Sequence, residues 1–428
     1  MIAPPFRGHL HPLLGIALEL APSHTVRVLS TPGTMHEVHA CGLHGRALLG
    51  AADEARLEAI SNPRQTIGHH PGRLLEQFRA TLDVLASARV ALETLYADAD
   101  QRPDLVIADF TLPIAGIVAA RHGVPWWTSL PSPCVLETRR GPPAYLGGLR
   151  PIRGPVGRWR DGAGRALVRG FKGSVARLER KRLTALGLGA VYRDDGTEQV
   201  YSPGCILALG LESFEFGCGW PAAVHFVGPR LLTPPGHALA PTFREGRRHV
   251  LVTCGTHLAH RRAAFAAAAA TLARMRPDLE VHVSAGQVPK IGDPSCNDEP
   301  LGDRTVDNAP ANLVRLPWVD YARHVRRYDA VVHHGGAGIL WHCLANAVPA
   351  IVVPVDYDQP DHAARLGWAG VARQARLDGL VSAVGRVLDD PELAARCRDI
   401  ACRIRAERER QGVRTLVERL GSSDDSAR

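Results

Sequence analysis

Lysine is nearly absent from this chain of 428 residues: Lys172, Lys181 and Lys290 are the only three. Arginine therefore carries the basic surplus behind a formal charge of +8. No run of Lys and Arg is dense enough for a nucleic-acid arm, so the surplus does not imply a nucleic-acid partner. Abundant Arg and Ala with little Lys is the composition of a GC-rich coding sequence. Aromatics are sparse, at 5%. The nine cysteines show no CxxC pair and no Cys/His ligand spacing. An odd, scattered set fits reduced cytoplasmic thiols and argues against a disulfide framework or a zinc site. There is no signal peptide and no apolar run of transmembrane length, so stable membrane insertion is not expected. No G-x-G-x-x-G follows the first strand, which disfavours a Rossmann dehydrogenase.

What is present is an alternation of short apolar runs with helical periodicity. In the first half, IAPP reads as a strand end, 12–20 as a helix, 25–31 as a strand and 74–97 as a long amphipathic helix. Strand 105–108, helix 114–122 and strand 125–130 follow, with strands again at 205–209 and 225–227. Residues 139–175 are rich in Arg and Gly and read as a loop with a short helix at 164–177. The Pro/Gly-rich stretch 228–245 reads as a linker. A second series follows: strand 249–253, helix 262–275, and strands 280–284, 313–316, 330–333 and 351–354. Such alternation predicts an α/β chain with two doubly wound parallel sheets. The expected division is 1–227, the linker, 246–395, charged helices over 396–420 and a disordered tail at 421–428.

The most informative stretch is HHGGAG at 333–338. An apolar strand runs into a Gly-rich turn and then a helix, which presents backbone N–H groups to an anion, most economically a phosphate. About twenty residues on, a second buried strand ends just before Asp358-Gln359. Ligands of open α/β sheets sit outside the carboxyl ends of strands. The two motifs therefore converge on one ligand, phosphate at one end and polyhydroxylated at the other.

This pattern resembles the donor site of glycosyltransferase family 1, and bacterial natural-product glycosyltransferases most closely. The family's H-G-G-x-G-T, G-V-P and P-x-x-x-D-Q-x-x-N-A are matched by His334 to Ile339, Ala347-Val348-Pro349, and Pro354 to Ala363. The resemblance implies the GT-B fold, two Rossmann-like domains facing a cleft, with the terminal helix packing on the N-terminal domain. It implies no cofactor beyond a nucleotide-sugar co-substrate. His334, Gly335, Gly336, Ala337, Gly338 and Ile339 would hold the diphosphate, aided by Thr256. Trp318 and the backbone of Val319 would lie beside the base. Asp358 and Gln359 would hold sugar hydroxyls. Ile339 stands where the family has Thr, and His362 where it has Asn. Plant-type members place an acid for the ribose eight positions after the phosphate His; here that position is His342, which favours dTDP over UDP.

The loop Arg7-Gly8-His9-Leu10-His11-Pro12 resembles the family's G-H-x-x-P, in which the His is the base. That maps to His9, with His11 as runner-up. A base His needs its second nitrogen oriented by a carboxylate, and Asp109 ends a strand of the same sheet. One-step displacement inverts the anomeric centre, and family members need no metal. Asp194-Asp195 and Asp389-Asp390 lie in solvated contexts. The acceptor side would draw on Phe6, His11, Phe110, Pro131 and Ser132. The Arg-rich 139–172, with Trp159 and Phe171, reads as a lid or solvated loop rather than a membrane-facing patch. Two other readings stand beside transfer to a small lipophilic acceptor: a non-catalytic partner protein and a GT-B epimerase. A monomer or homodimer is expected.

Overall fold

Short aliphatic runs form the strands, and most of them feed a helix. The computed structural model describes residues 1–68, 70–216, 219–233, 240–287, 310–410 and 412–425. The chain divides into two units: residues 1–60, 69–232 and 406–428 form the first, and 61–68 and 233–405 the second.

In the first unit the strands are β1 (Arg27–Ser30), β2 (His44–Ala47), β3 (Val106–Asp109), β4 (Trp126–Leu130), β5 (Ile206–Ala208) and β6 (Val224–Phe226). β1 pairs with β2, and β3 to β6 pair in order, all parallel. Ile2 bridges the two groups through Leu29 and Ala108. The expected first strand is thus one bridging residue, because Pro4 and Pro5 cannot donate to a ladder. With Ile2 counted as the first strand, the order is 3-2-1-4-5-6-7. The sheet is covered on both faces: Val106 and Ala108 pack with Leu92 and Tyr96, whereas Ile107 packs with Leu13 and Leu14.

The second unit has β7 (Arg248–Thr253), β8 (Leu279–Ser284), β9 (Leu313–Leu316), β10 (Ala330–His333), β11 (Ala350–Val352) and β12 (Ala372–Gln374). They run β12-β11-β10-β7-β8-β9, all parallel. Within the unit this is 3-2-1-4-5-6 in spatial sense, the doubly wound order. In both units the strand order reverses beside the first strand, and ligand sites of such sheets form at that point.

Several expectations are corrected. The first helix is Arg7–Leu20, with Pro12 inside it; His9 and His11 therefore sit in helix, not in a preceding loop. The loop expected over 139–175 contains a helix of 24 residues, Pro155–Leu178. Its five glycines lower helix propensity and hid it. Strands β2 and β12 and the helix Ala51–Ser61 had no apolar pattern to announce them, since they are largely exposed. Residues 61–68 join the second unit rather than the first. There the N–H groups of Ile67 and Gly68 donate to Asp356, and Thr66 bonds His260. The expected linker 228–245 straddles the division between 232 and 233; its residues 234–239 lie outside the described residues. The C-terminal helices are Pro391–Arg410 and Val413–Asp425, so the helix runs past 420; residues 426–428 of the expected tail lie outside the described residues. In the terminal helix the N–H of Arg414 donates to Glu19, and Val413 is fully buried in the first unit's core.

Candidate active site

His9 and Asp109 meet at the reversal point of the first sheet. Ile2 leads into the helix carrying His9, and Asp109 is the last residue of the adjoining β3. His9 Nδ1 lies 3.1 and 3.0 Å from the two carboxylate oxygens of Asp109. Asp109 is fully buried, and His9 is one-quarter exposed at its side chain. Thr111 completes the arrangement: its N–H and hydroxyl donate to Asp109 Oδ1 at 3.0 and 2.6 Å. With Nδ1 committed to the carboxylate, Nε2 is the nitrogen that can take a proton. The Phe110 ring stacks on the imidazole with centroids 5.5 Å apart, and Phe6 meets it edge-on at 5.8 Å. Pro131 and Ser132 are buried at the end of β4. His11 faces elsewhere: its Nε2 bonds Glu37 at 2.7 Å, with Arg7 at 3.6 Å from the same carboxylate. Burial alone would raise Glu37, but the bonds and charges of His11 and Arg7 outweigh it and hold the carboxyl down to about 2. His11 is thus tied into an ion-pair cluster and is not the dyad base.

The second constellation lies at the reversal point of the second sheet, between β7 and β10. β10 ends at His333, the turn passes through His334, Gly335 and Gly336, and a helix, Ala337–Ala345, begins. The N–H groups of Ala337, Gly338 and Ile339 lie in its first turn and have no intrahelical partner. The His334 ring is set between two glycines. A methyl on Gly255 would approach its Cε1 to 2.5 Å, and one on Gly336 its Nε2 to 2.5 Å. Gly255 and Gly335 hold positive φ of 72° and 99°, conformations that favour glycine. His334 Nδ1 is buried with no hydrogen-bond partner among the described residues. That is the condition of a group that awaits a ligand. His362, which stands where the resemblance expects Asn, supports the turn: its Nδ1–H donates to the Gly335 carbonyl at 2.7 Å.

Gln359 differs from expectation. Its carboxamide oxygen accepts from the N–H groups of Val355 and Asp356, at 2.9 and 3.0 Å. That oxygen shapes the loop and is not presented to sugar hydroxyls. Asp358 is one-quarter exposed at its side chain and makes no cap bond to the helix Gln359–Trp368. Its neighbour Tyr357 has φ of 58°, a strained value for a non-glycine residue. Ile339 and Val319 point their side chains into one core cluster, with Leu251 and Val331. Only their backbones remain for a ligand. Thr256 and Trp318 are partly exposed after β7 and β9. Sequence reasoning missed Thr111, Glu37 and Asp356, each of which acts through a contact the sequence does not place.

Burial lowers His333 to about 3, with His334 and His362 adding to the effect. Burial also lowers His334 to about 4, with Asp358 opposing and His362 reinforcing. Both stay neutral in the folded state well below the ordinary histidine pKa. Between about pH 6.5 and 4 the unfolded chain therefore binds more protons, and stability falls as pH falls. The melting temperature should drop by several degrees from pH 7.5 to 5. A diphosphate bound to His334 would raise its pKa and reduce that drop. A melting temperature independent of pH in this window, with and without nucleotide, contradicts the assignment.

Comparison with known proteins bears on the fold and the class of the chain. Residues 249–398 match the model of the glycosyltransferase family 28 C-terminal domain. The chain is similar to O-mycaminosyltylonolide 6-deoxyallosyltransferase of Streptomyces fradiae, 29% identical over 222 residues. That alignment spans 49% of this chain and only 47% of the relative. It is also similar to 4'-demethylrebeccamycin synthase of Lentzea aerocolonigenes, 26% identical over 92% of this chain and 93% of that one. Among solved structures, the kitacinnamycin glycosyltransferase superposes with a TM-score of 0.70, at 22% identity over 98% and 97% of the two chains. The Streptomyces sp. SF2575 glycosyltransferase, complexed with thymidine diphosphate, superposes at 0.61, with 20% identity over 98% of each chain. The fold is GT-B, and residues 249–398 carry a glycosyltransferase C-terminal domain. The chain's relatives include bacterial natural-product enzymes, in line with the resemblance read from the motifs.

Proposed function

We infer that the protein moves a sugar from a dTDP-sugar to a hydroxyl, or an amine, of a small lipophilic natural-product acceptor, with inversion and without a metal ion. The observation that carries this reading is the buried Asp109 gripping His9 through both carboxylate oxygens. Such a pair fixes the tautomer and makes His9 Nε2 a base. In the proposed step the acceptor's O–H proton goes to Nε2 as its oxygen bonds the anomeric carbon. The bond from that carbon to the phosphate oxygen breaks, and the nucleoside diphosphate leaves. His334 and the N–H groups of residues 337–339 take up the charge of the leaving group. Asp358 holds the sugar. Phe6 and Phe110 offer the acceptor an apolar wall beside the base.

The preference for dTDP is supported by His342, which stands where an acid would bind a ribose 2′-hydroxyl. It is buried and faces the Tyr321 ring at 6.3 Å. The thymidine diphosphate held by one structural neighbour agrees with it. Thermal shift against dTDP, UDP, GDP and ADP tests the donor. A ligand at one hundred times its Kd adds about 2.7 kcal/mol to native stability. dTDP should raise the midpoint most. An equal or larger shift with UDP would remove the dTDP assignment, and no shift with any nucleotide would remove the donor site itself. EDTA should leave turnover unchanged.

A further inference from the structure

The helix Pro155–Leu178 is built inside out. Its buried residues are Gly157, Asp161 and Gly164, which lie four and three apart and share one face. That face presses on the preceding loop. A methyl on Gly157 would fall 1.9 Å from the Ile152 carbonyl oxygen, and one on Gly164 2.9 Å from the ring of Pro143. The large apolar side chains lie on the adjoining face: Trp159 is 76% exposed, Val156 71%, Leu178 68%, Leu167 65% and Phe171 43%. With Ala163, also exposed, positions 156, 159, 163, 167, 171 and 178 follow three-, four- and seven-residue steps. They form one continuous ridge, roughly 33 Å long at 1.5 Å per residue. A surface helix of a globular protein turns such a stripe to the core; this one turns it to solvent.

Within the segment itself the exposed charge has one sign; acids from elsewhere, Glu137, Glu198 and Asp83, meet Arg169, Lys172 and Arg182. Between residues 150 and 182 the only acids are Asp161 and Glu179, both buried. Asp161 pairs with Arg160, and Glu179 with Arg79. The exposed Arg153, Arg158, Arg177 and Arg180 have no acidic partner among the described residues. Two copies laid ridge to ridge would oppose cation to cation. An exposed apolar stripe on a segment whose own exposed charges are all basic, with Arg177 at its edge, is the chemistry of a helix that lies in the plane of a membrane interface. We propose that this ridge docks the protein on an anionic lipid surface, with Trp159 and Phe171 at the acyl boundary and the arginines among the headgroups. The protein rests on the bilayer and does not cross it: among the described residues no helix is long and apolar enough to span one. This departs from the sequence-based reading of the segment as a lid or solvated loop. It does not depend on which sugar donor the protein uses.

The test is co-sedimentation of the full chain with vesicles of phosphatidylcholine and phosphatidylglycerol, against phosphatidylcholine alone. Binding should require phosphatidylglycerol and weaken as salt rises. The double variants Trp159→Asp/Leu167→Asp and Arg153→Glu/Arg177→Glu should each bind about tenfold or more weakly. All four positions are exposed, so both variants should keep the wild-type melting temperature and turnover with a soluble acceptor. No sedimentation with anionic vesicles overturns the proposal, as does wild-type binding by both variants. A dimer in sedimentation velocity that Trp159→Asp/Leu167→Asp abolishes, without vesicle binding, would give the ridge to a second copy. Salt-sensitive capture by an acidic polypeptide, without vesicle binding, would give it to a protein partner. Either outcome overturns the proposal.

Discussion

His9→Ala should lower kcat by roughly two to four orders of magnitude, the range that a positioned general base supplies. The Kd for dTDP should stay unchanged, because the two duties fall to separate residues. His9 touches Asp109, Phe6 and Phe110, all residues of the first unit, whereas the diphosphate site is made by residues of the second. The side chain is partly exposed in the first turn of its helix, so truncation leaves no sealed cavity and should cost little stability. Asp109→Asn should also lose most of the activity, since an amide no longer fixes the imidazole tautomer. It should cost more stability as well, because the buried carboxylate also accepts two bonds from Thr111. Steady-state kinetics with calorimetric dTDP titration separates these effects. A His9→Ala enzyme with unchanged kcat would end the assignment of the base.

Gly255→Ala should abolish most nucleotide binding while leaving His9 and Asp109 in place. Two physical reasons act together. The residue holds φ of 72°, where an alanine is strained. The new methyl would also fall 2.5 Å from the His334 ring, which must then leave its position beside the turn. Losing one hydrogen bond to a charged phosphate costs about 1.5–3 kcal/mol, a weakening of about 10- to 100-fold in Kd. Gly338→Ala is the contrasting change. A methyl there meets nothing within 4 Å, and alanine is favoured over glycine inside a helix by about 1 kcal/mol. Its melting temperature should hold or rise slightly. If Gly255→Ala binds dTDP as the wild type does, His334 is not the phosphate ligand.

Much of this architecture is legible in the sequence because buried parallel strands announce themselves. The apolar pattern places β9 and β10 to the residue, and β7 and β8 to within one, since each is an aliphatic run covered on both faces. What escapes has no such pattern. β2 is HGRA, with no buried residue in it. The helix Pro155–Leu178 buries small residues and exposes large ones, so its periodicity points the wrong way. At the candidate site, motif and spacing single out His9, Asp109 and His334, which lie at the reversal points of the two sheets. The sequence does not show that Gln359 turns its oxygen back to its own loop, nor that His11 is held by Glu37. Both depend on contacts set by side-chain rotamers and by loops of irregular length. Ile339, which in sequence marks the loss of a phosphate-binding hydroxyl, proves to be a core residue; its backbone N–H is what the helix start offers a ligand.

The most direct measurement is NMR of a reaction containing the protein, a dTDP-α-sugar and a lipophilic phenolic acceptor, following dTDP release and the anomeric signal of the product together. We expect release that depends on the acceptor, and a β-linked product. Retention of the α-configuration would contradict a single displacement with His9 as base, and absence of any transfer across a panel of dTDP- and UDP-sugars would contradict the proposed donor chemistry.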